Sequence, residues 1–141
     1  MPPETKENAM SPAAAIDLTK ATFFPTVKRE GIALVDWWAT WCPPCRAFAP
    51  VFAKVAGRHP DVVFGKVDTE AEGGLASEFQ IRAIPTLMVF RDGVLLLSQA
   101  GALPEHALEE LIERVRGVDM DEVRLRIGQA QSKPNTVSQT G

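Results

Sequence analysis

The clearest signature of the fold is the stretch Val35-Asp36-Trp37-Trp38-Ala39-Thr40-Trp41-Cys42-Pro43-Pro44-Cys45-Arg46. Residues 32–38 are apolar on both alternating faces apart from Asp36, which is typical of a strand covered on both sides. Beyond the cysteines, a stripe at helical spacing indicates a core-facing helix, and Gly57 and Pro60 end it. That stripe consists of Phe48, Val51, Phe52 and Val55. The cysteines should therefore lie between a central strand and the start of a helix.

The remaining patterns predict a single mixed domain. Asp92-Gly93 suits a tight two-residue turn, so the strands on either side should form an antiparallel hairpin. The strand-helix-strand order around the cysteines predicts parallel strands and a right-handed crossover. The other expected strands are 15–18, 62–67, 86–91 and 94–98, and the other expected helices are 22–30, one ending near Phe79 and one from about Pro104. The predicted fold class is α/β, in the order β-α-β-α-β-α-β-β-α.

Length and composition agree with one compact domain. The chain has 141 residues, of which 45% are hydrophobic and 23% charged, as in ordinary globular proteins. We expect a flexible leader at 1–12, the domain at 13–117 and an extension at 118–141. In the extension the pattern favours a helix over a strand, followed by a disordered tail from Gln131.

Charge and hydropathy restrict the partners and the location. A formal net charge of -3 argues against binding to a phosphate backbone, so nucleic acid is not an expected partner. The first ten residues lack the basic start and apolar stretch of a secretory signal, and no run approaches the length that spans a bilayer. We therefore expect a cytoplasmic protein without membrane association. We also expect a monomer.

The chemistry should reside in Cys42 and Cys45, which are the only cysteines. Both sulfurs fall within one helical turn, close enough to form a disulfide with little backbone movement. The free N–H groups and the positive end of a helix favour an anion, and Cys42 is the better placed to ionise. Its thiolate could attack a substrate disulfide, and Cys45 could then resolve the mixed disulfide.

Zinc binding is the main alternative for this pair. A tetrahedral site needs two more ligands, and the only histidines, His59 and His106, do not have the close spacing of known zinc motifs. A purely structural disulfide is disfavoured too, because so short a loop removes little entropy from the unfolded chain. We expect neither a metal nor a cofactor.

The chain resembles the thioredoxin family over residues 15–116. The resemblance rests on the stretch quoted above, on Ile84-Pro85-Thr86 and on Gly101-Ala102. The resemblance implies a thioredoxin fold, with a central mixed sheet between two layers of helices, and a protein disulfide reductase. It also implies a solvent-exposed nucleophilic Cys42, a more buried resolving Cys45 and a groove for an extended substrate segment.

The same resemblance gives roles to other residues. Asp36, whose burial without a partner would be costly, would accept the proton of Cys45, with Lys66 as its neighbour. A cis Ile84-Pro85 bond would present backbone groups to substrate. Five residues would form the substrate groove: Trp41, Ile84, Pro85, Gly101 and Ala102.

One departure from the family concerns Pro43 and Pro44, because thioredoxins commonly have Gly-Pro between the cysteines. Proline has no N–H, so a possible donor to the thiolate is lost and the reduction potential should change, in a direction that the sequence leaves open. The Arg46 cation could compensate in part.

The resemblance also suggests partners and two further interpretations. Protein disulfides would be the substrates, and a flavoprotein thioredoxin reductase would supply electrons. One alternative is a disulfide oxidase or isomerase, which the missing export signal disfavours. The other is a redox-inert thioredoxin fold that serves as a binding module or scaffold.

Overall fold

The computed structural model describes residues 15–132. Five strands and four helices follow one another in the predicted order, and a fifth helix comes after them. The elements are β1 (Ile16–Asp17), α1 (Lys20–Val27), β2 (Ile32–Trp38), α2 (Pro43–Ala56), β3 (Val63–Asp68), α3 (Gly73–Glu78), β4 (Thr86–Arg91), β5 (Val94–Ala100), α4 (Glu105–Arg116) and α5 (Met120–Ser132).

The strands form one mixed sheet in the order β1-β3-β2-β4-β5. Strand β2 lies at its centre, parallel to β3 and antiparallel to β4. Its first six residues are buried, which confirms the prediction of a strand covered on both faces. The α/β fold with a central mixed sheet is therefore confirmed.

Two hydrophobic clusters cover the two faces of the sheet. On one face, Leu34 packs with the apolar stripes of α2 and α4, including Phe52 and Ile112. On the other face, Trp37 packs with α1 and with the end of α3. The ring centroids of Phe23 in α1 and of Phe79, just after α3, each lie 5.5 Å from that of Trp37. Even-numbered residues of β2 thus face α2, and odd-numbered residues face α1 and α3.

Helix α1 begins and ends earlier than the expected 22–30. Thr19 caps it through a reciprocal pair of bonds with Thr22, whose hydroxyl accepts the Thr19 N–H at 2.9 Å. A capping box normally uses Glu or Gln at the second position, so this start is hard to recognise in the sequence. Strand β3 also starts one residue later than predicted, and β5 continues to Ala100.

The turn between β4 and β5 is the predicted two-residue turn. Asp92 and Gly93 have φ angles of 52° and 82°, as a type I′ hairpin turn requires. The Asp92 carboxylate also accepts the Gly31 N–H at 2.8 Å, which ties the turn to the start of β2.

Helix α5 occupies the region after Gly117, where the sequence favours a helix. Arg91 at the end of β4 donates to the carbonyls of Val115 and Val118 at 2.8 Å each, and Met120 is buried. The helix includes residues 131 and 132, so the expected tail from Gln131 starts too early. The leader at 1–12 and the rest of the tail lie outside the described residues. No helix within 15–132 is long and apolar enough to cross a membrane.

Replacing Gly65 with alanine is expected to lower the free energy of unfolding by about 1–3 kcal/mol. Its Cβ would lie 2.5 Å from Cδ1 of the buried Leu18, so this part of the core must shift. Urea unfolding measures the effect, with Gly128→Ala as control because no atom lies within 4 Å of that Cβ. Equal stability of wild type and Gly65→Ala would contradict the prediction.

Candidate active site

The two cysteines lie at the junction of β2 and α2, as predicted. Cys42 is the N-cap residue of α2 and forms a disulfide with Cys45, with the Cα atoms 5.2 Å apart. The Cys45 backbone N–H donates to Cys42 Sγ at 3.2 Å. Pro43 and Pro44 occupy the first two helical positions, where a backbone N–H would have no partner within the helix. The two prolines therefore cost the helix no hydrogen bond.

The expectation of a solvent-exposed Cys42 is wrong for this disulfide form. Cys42 and Cys45 are each only 2% exposed. The Cys42 side chain turns back over the start of α2, and its Sγ lies 3.7 Å from the Ile84 carbonyl oxygen. The disulfide is covered from that side by the chain before β4.

Asp36 is fully buried in β2, so its carboxylate does not face solvent. As an even-numbered residue it lies on the α2 side of the sheet, like Leu34. Neither carboxylate oxygen has a hydrogen-bond partner in the described part of the chain. Burial raises the pKa of Asp36 from 3.8 to about 7, and the positive charge of Lys66 opposes that rise.

Lys66 is the partner of Asp36 in the β2–β3 register and therefore lies on the same face of the sheet. Its Nζ sits 4.7 Å from the centre of the Trp38 ring, in a cation–π arrangement. The structure thus pairs the acid and the lysine named from the sequence on neighbouring strands, on the face of the sheet that α2 covers.

The segment before β4 lies opposite the cysteines. The Ile84-Pro85 bond is cis, as the resemblance implied. The Pro85 carbonyl accepts the Gly101 N–H at 2.8 Å, so Gly101 and the adjacent Ala102 border the same region, and both are exposed. Gly101 has a φ of 101°, which a residue with a side chain rarely adopts.

Trp41 is 60% exposed, so it is not a core residue. Its indole Nε1 donates to the Glu70 carboxylate at 3.2 Å. Sequence reasoning missed Glu70, because it is one of several acids in a polar loop and its partner lies 29 residues earlier. Arg46, considered as a compensating cation, donates to the Thr40 carbonyl at 2.9 Å.

No group of three or more metal-ligating side chains forms a possible metal site within residues 15–132. His59, one of the two histidines weighed as zinc ligands, hydrogen-bonds Glu109 at 2.7 Å and Arg116 at 2.9 Å. Its ring is therefore part of a polar network between the loop after α2 and helix α4.

A disulfide across one helical turn, with a backbone donor to the leading sulfur, is typical of a thiol-disulfide oxidoreductase. Comparison with known proteins identifies the family. The thioredoxin family model matches residues 14–114. Putative thioredoxin 2 of Streptomyces coelicolor is 48% identical over 120 residues, covering 85% of this chain and 90% of that protein. Thioredoxin 1 of Synechococcus elongatus is 43% identical over 107 residues, covering 74% and 98%.

Solved structures show the same likeness. A mutant thioredoxin from Halobacterium salinarum superposes with a TM-score of 0.70 at 28% identity, covering 77% of this chain and 96% of that one. Thioredoxin f from spinach chloroplast gives 0.68 at 31% identity, covering 74% and 96%. The chain belongs to the thioredoxin family. It is a protein disulfide reductase that acts by dithiol-disulfide exchange through Cys42 and Cys45.

The raised pKa of Asp36 predicts how stability depends on pH. Between pH 4 and 7 the folded protein keeps a proton that the unfolded chain releases, so this group's contribution to the free energy of unfolding falls as pH rises. A rise in pKa from 3.8 to about 7 corresponds to a loss of roughly 4 kcal/mol above pH 7.

Asp36→Asn is therefore expected to raise the free energy of unfolding at pH 8, by up to about 4 kcal/mol, and to raise it far less at pH 4. Urea unfolding at a series of pH values measures the difference, with the exposed Glu78→Gln as control. A difference between Asp36→Asn and wild type that does not change with pH would show that Asp36 titrates normally.

Proposed function

We propose that Cys42 is the nucleophile of a cytoplasmic protein disulfide reductase and that Cys45 is its resolving thiol. The observation that carries this assignment is the Cys45 N–H bond to Cys42 Sγ at the start of α2. A donor and the positive end of a helix stabilise a negative charge on the first sulfur, whereas the second lies one turn inside the helix.

The reaction transfers two electrons from the dithiol to the substrate. The Cys42 thiolate attacks one sulfur of the substrate disulfide, forming a mixed disulfide and releasing the other substrate sulfur as a thiolate. Cys45 then loses its proton and attacks the Cys42 sulfur. The mixed disulfide breaks, the second substrate thiol leaves, and the protein retains the Cys42-Cys45 disulfide.

Asp36 is proposed to accept the proton of Cys45 in the second step. Its support is a carboxylate that is buried without a hydrogen-bond partner among residues 15–132 and has a pKa of about 7, suitable for exchange near neutral pH. Lys66 is proposed to assist, because its charge favours the ionised acid and so keeps this pKa from rising further.

The surface around the disulfide is proposed to bind an extended segment of the substrate. The backbone of Ile84 faces Cys42 and could pair with the segment, as a strand does at a sheet edge. Pro85 fixes that backbone, and Gly101 and Ala102 present little side chain there, so the segment can approach closely. Trp41 would supply an exposed aromatic surface on another side.

Pro43 and Pro44 are proposed to tune the reduction potential. They leave the Cys45 N–H as the donor to Cys42 and stiffen the backbone between the sulfurs. A flavoprotein thioredoxin reductase is the proposed electron donor, and the protein is proposed to act as a monomer.

An oxidase or isomerase, or a redox-inert binding module, would make different demands on the cysteines. A measured reduction potential separates the first from a reductase. Replacement of Cys42 tests the binding module: a redox-inert module would keep its biological function without this cysteine, whereas a reductase would lose it.

Replacing either cysteine with serine should abolish catalytic reduction of insulin by dithiothreitol, but with different intermediates. When the pre-reduced variants are mixed with insulin and no dithiothreitol, which would itself cleave the adduct, Cys45→Ser should accumulate a mixed disulfide with substrate because its hydroxyl cannot resolve it. Cys42→Ser should accumulate none. Non-reducing electrophoresis and mass spectrometry measure the adduct, and the two variants are matched controls for each other. The opposite pattern would exchange the assigned roles.

The proposed role of Asp36 predicts the pH dependence of the resolving step. The rate at which a preformed mixed disulfide is resolved should rise with pH around an inflection near 7 that Asp36→Asn removes. Lys66→Met should shift this inflection to higher pH, because the charge that opposes the raised pKa is lost. Rapid-mixing kinetics measure both, and an unchanged profile in Asp36→Asn would contradict the role.

A further inference from the structure

Lys66 lies in the middle of a row of three charged residues across the sheet. Its partner in the β2–β3 register is Asp36, and its partner in the β1–β3 register is Asp17. Neighbouring strands are about 4.8 Å apart, so the two acids flank the lysine at similar distances. Asp36 is fully buried, whereas Asp17 is exposed. One ammonium group thus stands between a buried and an exposed carboxylate.

All three residues of this row belong to the face of the sheet that α2 covers. Residues two positions apart along a strand share a face. The residues two positions before Asp17, Asp36 and Lys66 all pack in the hydrophobic cluster on that face, and they are Ala15, Leu34 and Phe64. Asp17 and Asp36 can therefore compete for the same ammonium group.

The ammonium group of Lys66 is bound to neither acid. No ion pair within residues 15–132 includes Lys66, and its Nζ lies over the Trp38 ring instead. The Lys66 side chain is half-buried and borders a cavity of about 200 Å³, which Asp17 also lines. A lysine side chain has a long, flexible stem, so the ammonium group can move toward either strand.

Asp17 is the uncommitted acid of this cavity. Two other acids line it, and both accept backbone N–H groups. Asp68 accepts the Glu70 N–H at 2.9 Å. Glu72 accepts the Lys20 N–H at 3.1 Å. The Asp17 carboxylate has no hydrogen bond or ion pair in the part of the chain that the structure describes, so it can attract Lys66 away from Asp36.

The other neighbours of Asp36 leave Lys66 as the charge that acts on it. Leu87 of β4 is its apolar partner in the β2–β4 register. Helix α2 contributes Cys42 and Cys45, which are bonded to each other and do not titrate in this form. The cationic side chains of α2 are exposed and bind other partners, and they are Arg46, Lys54 and Arg58. Helix α4 presents apolar residues to this face, including Leu108 and Ile112.

We infer that Asp17 is a positioning residue, which draws the Lys66 ammonium group toward β1 and so weakens its attraction to Asp36. A positive charge favours the ionised form of a nearby acid, and the effect weakens as the charge moves away. Asp17 itself lies two strand spacings from Asp36, about 10 Å, where water and salt screen its own charge. Its effect on Asp36 therefore passes through Lys66.

The consequence for catalysis rests on the proposed transfer of the Cys45 proton to Asp36. With Lys66 drawn toward β1, Asp36 keeps its ability to bind a proton near neutral pH, which the resolving step requires. The effect on the titration of Asp36 does not depend on that transfer and can be measured separately.

The test follows the titration of the Asp36 carboxyl group by NMR of ¹³C-labelled aspartate in the disulfide form, with the resonance assigned from its absence in Asp36→Asn. Asp17→Asn should lower the midpoint of this titration by about 0.5 pH unit, because Lys66 then turns toward Asp36. Asp17→Glu keeps the charge and should stay within about 0.2 pH unit of wild type. Glu78→Gln, which removes the charge of an exposed acid in α3, is the matched control and should leave the midpoint unchanged.

A Lys66→Met background shows whether the effect passes through the lysine. In that background, Asp17→Asn should move the Asp36 midpoint by less than about 0.2 pH unit. An equal fall with and without Lys66 would show that Asp17 acts through its own charge, and would overturn the inference. An unchanged midpoint in Asp17→Asn with Lys66 present would overturn it as well.

Rapid-mixing kinetics separate the inference from the proposed role of Asp36. In Asp17→Asn, the inflection in the rate at which a preformed mixed disulfide is resolved should move to lower pH together with the NMR midpoint. A lowered NMR midpoint with an unchanged kinetic inflection would support positioning by Asp17 and contradict proton transfer to Asp36.

Discussion

The burial of β2 on both faces is the constraint on which the site depends. Its central place between β3 and β4 leaves the Asp36 carboxyl without a hydrogen-bond partner among the described residues, and this desolvation raises its pKa towards neutrality. The same strand ends shortly before Cys42, so one buried element supplies both the acid and the position of the sulfurs. An Asp36 on an edge strand would be hydrated, with a pKa near its ordinary value, and would be ionised at neutral pH.

Much of this arrangement follows from local sequence. Apolar residues occupy both the even and the odd positions of β2, which indicates that both faces of the strand are buried. An acid inside such a strand must be desolvated. Asp92-Gly93 specifies its turn because both positions require positive φ, which these residue types tolerate. Each of these features is determined by residues that are close together in the chain.

The features that sequence reasoning missed depend on distant contacts. Cys42 is covered because the chain at Ile84 passes over its sulfur, 42 residues later. Glu70 is joined to the site by its bond to Trp41, and nothing near Glu70 in the sequence distinguishes it from other loop acids. The position of Lys66 over the Trp38 ring likewise depends on the register of two strands. A single sequence contains no local signal for such contacts.

The charged side chains near α2 form their ion pairs far from the cysteines. Exposed ion pairs concentrate at its C-terminal end, where Lys54 and Arg58 bind Glu105, and Arg58 also binds Glu109. The helix has 14 residues, so this end is about 20 Å from the cysteines. In the described part of the chain, no ion pair includes a residue of 39–46. A thiolate at Cys42 would be stabilised by the Cys45 N–H and by the helix dipole, whose direction is set by the fold itself.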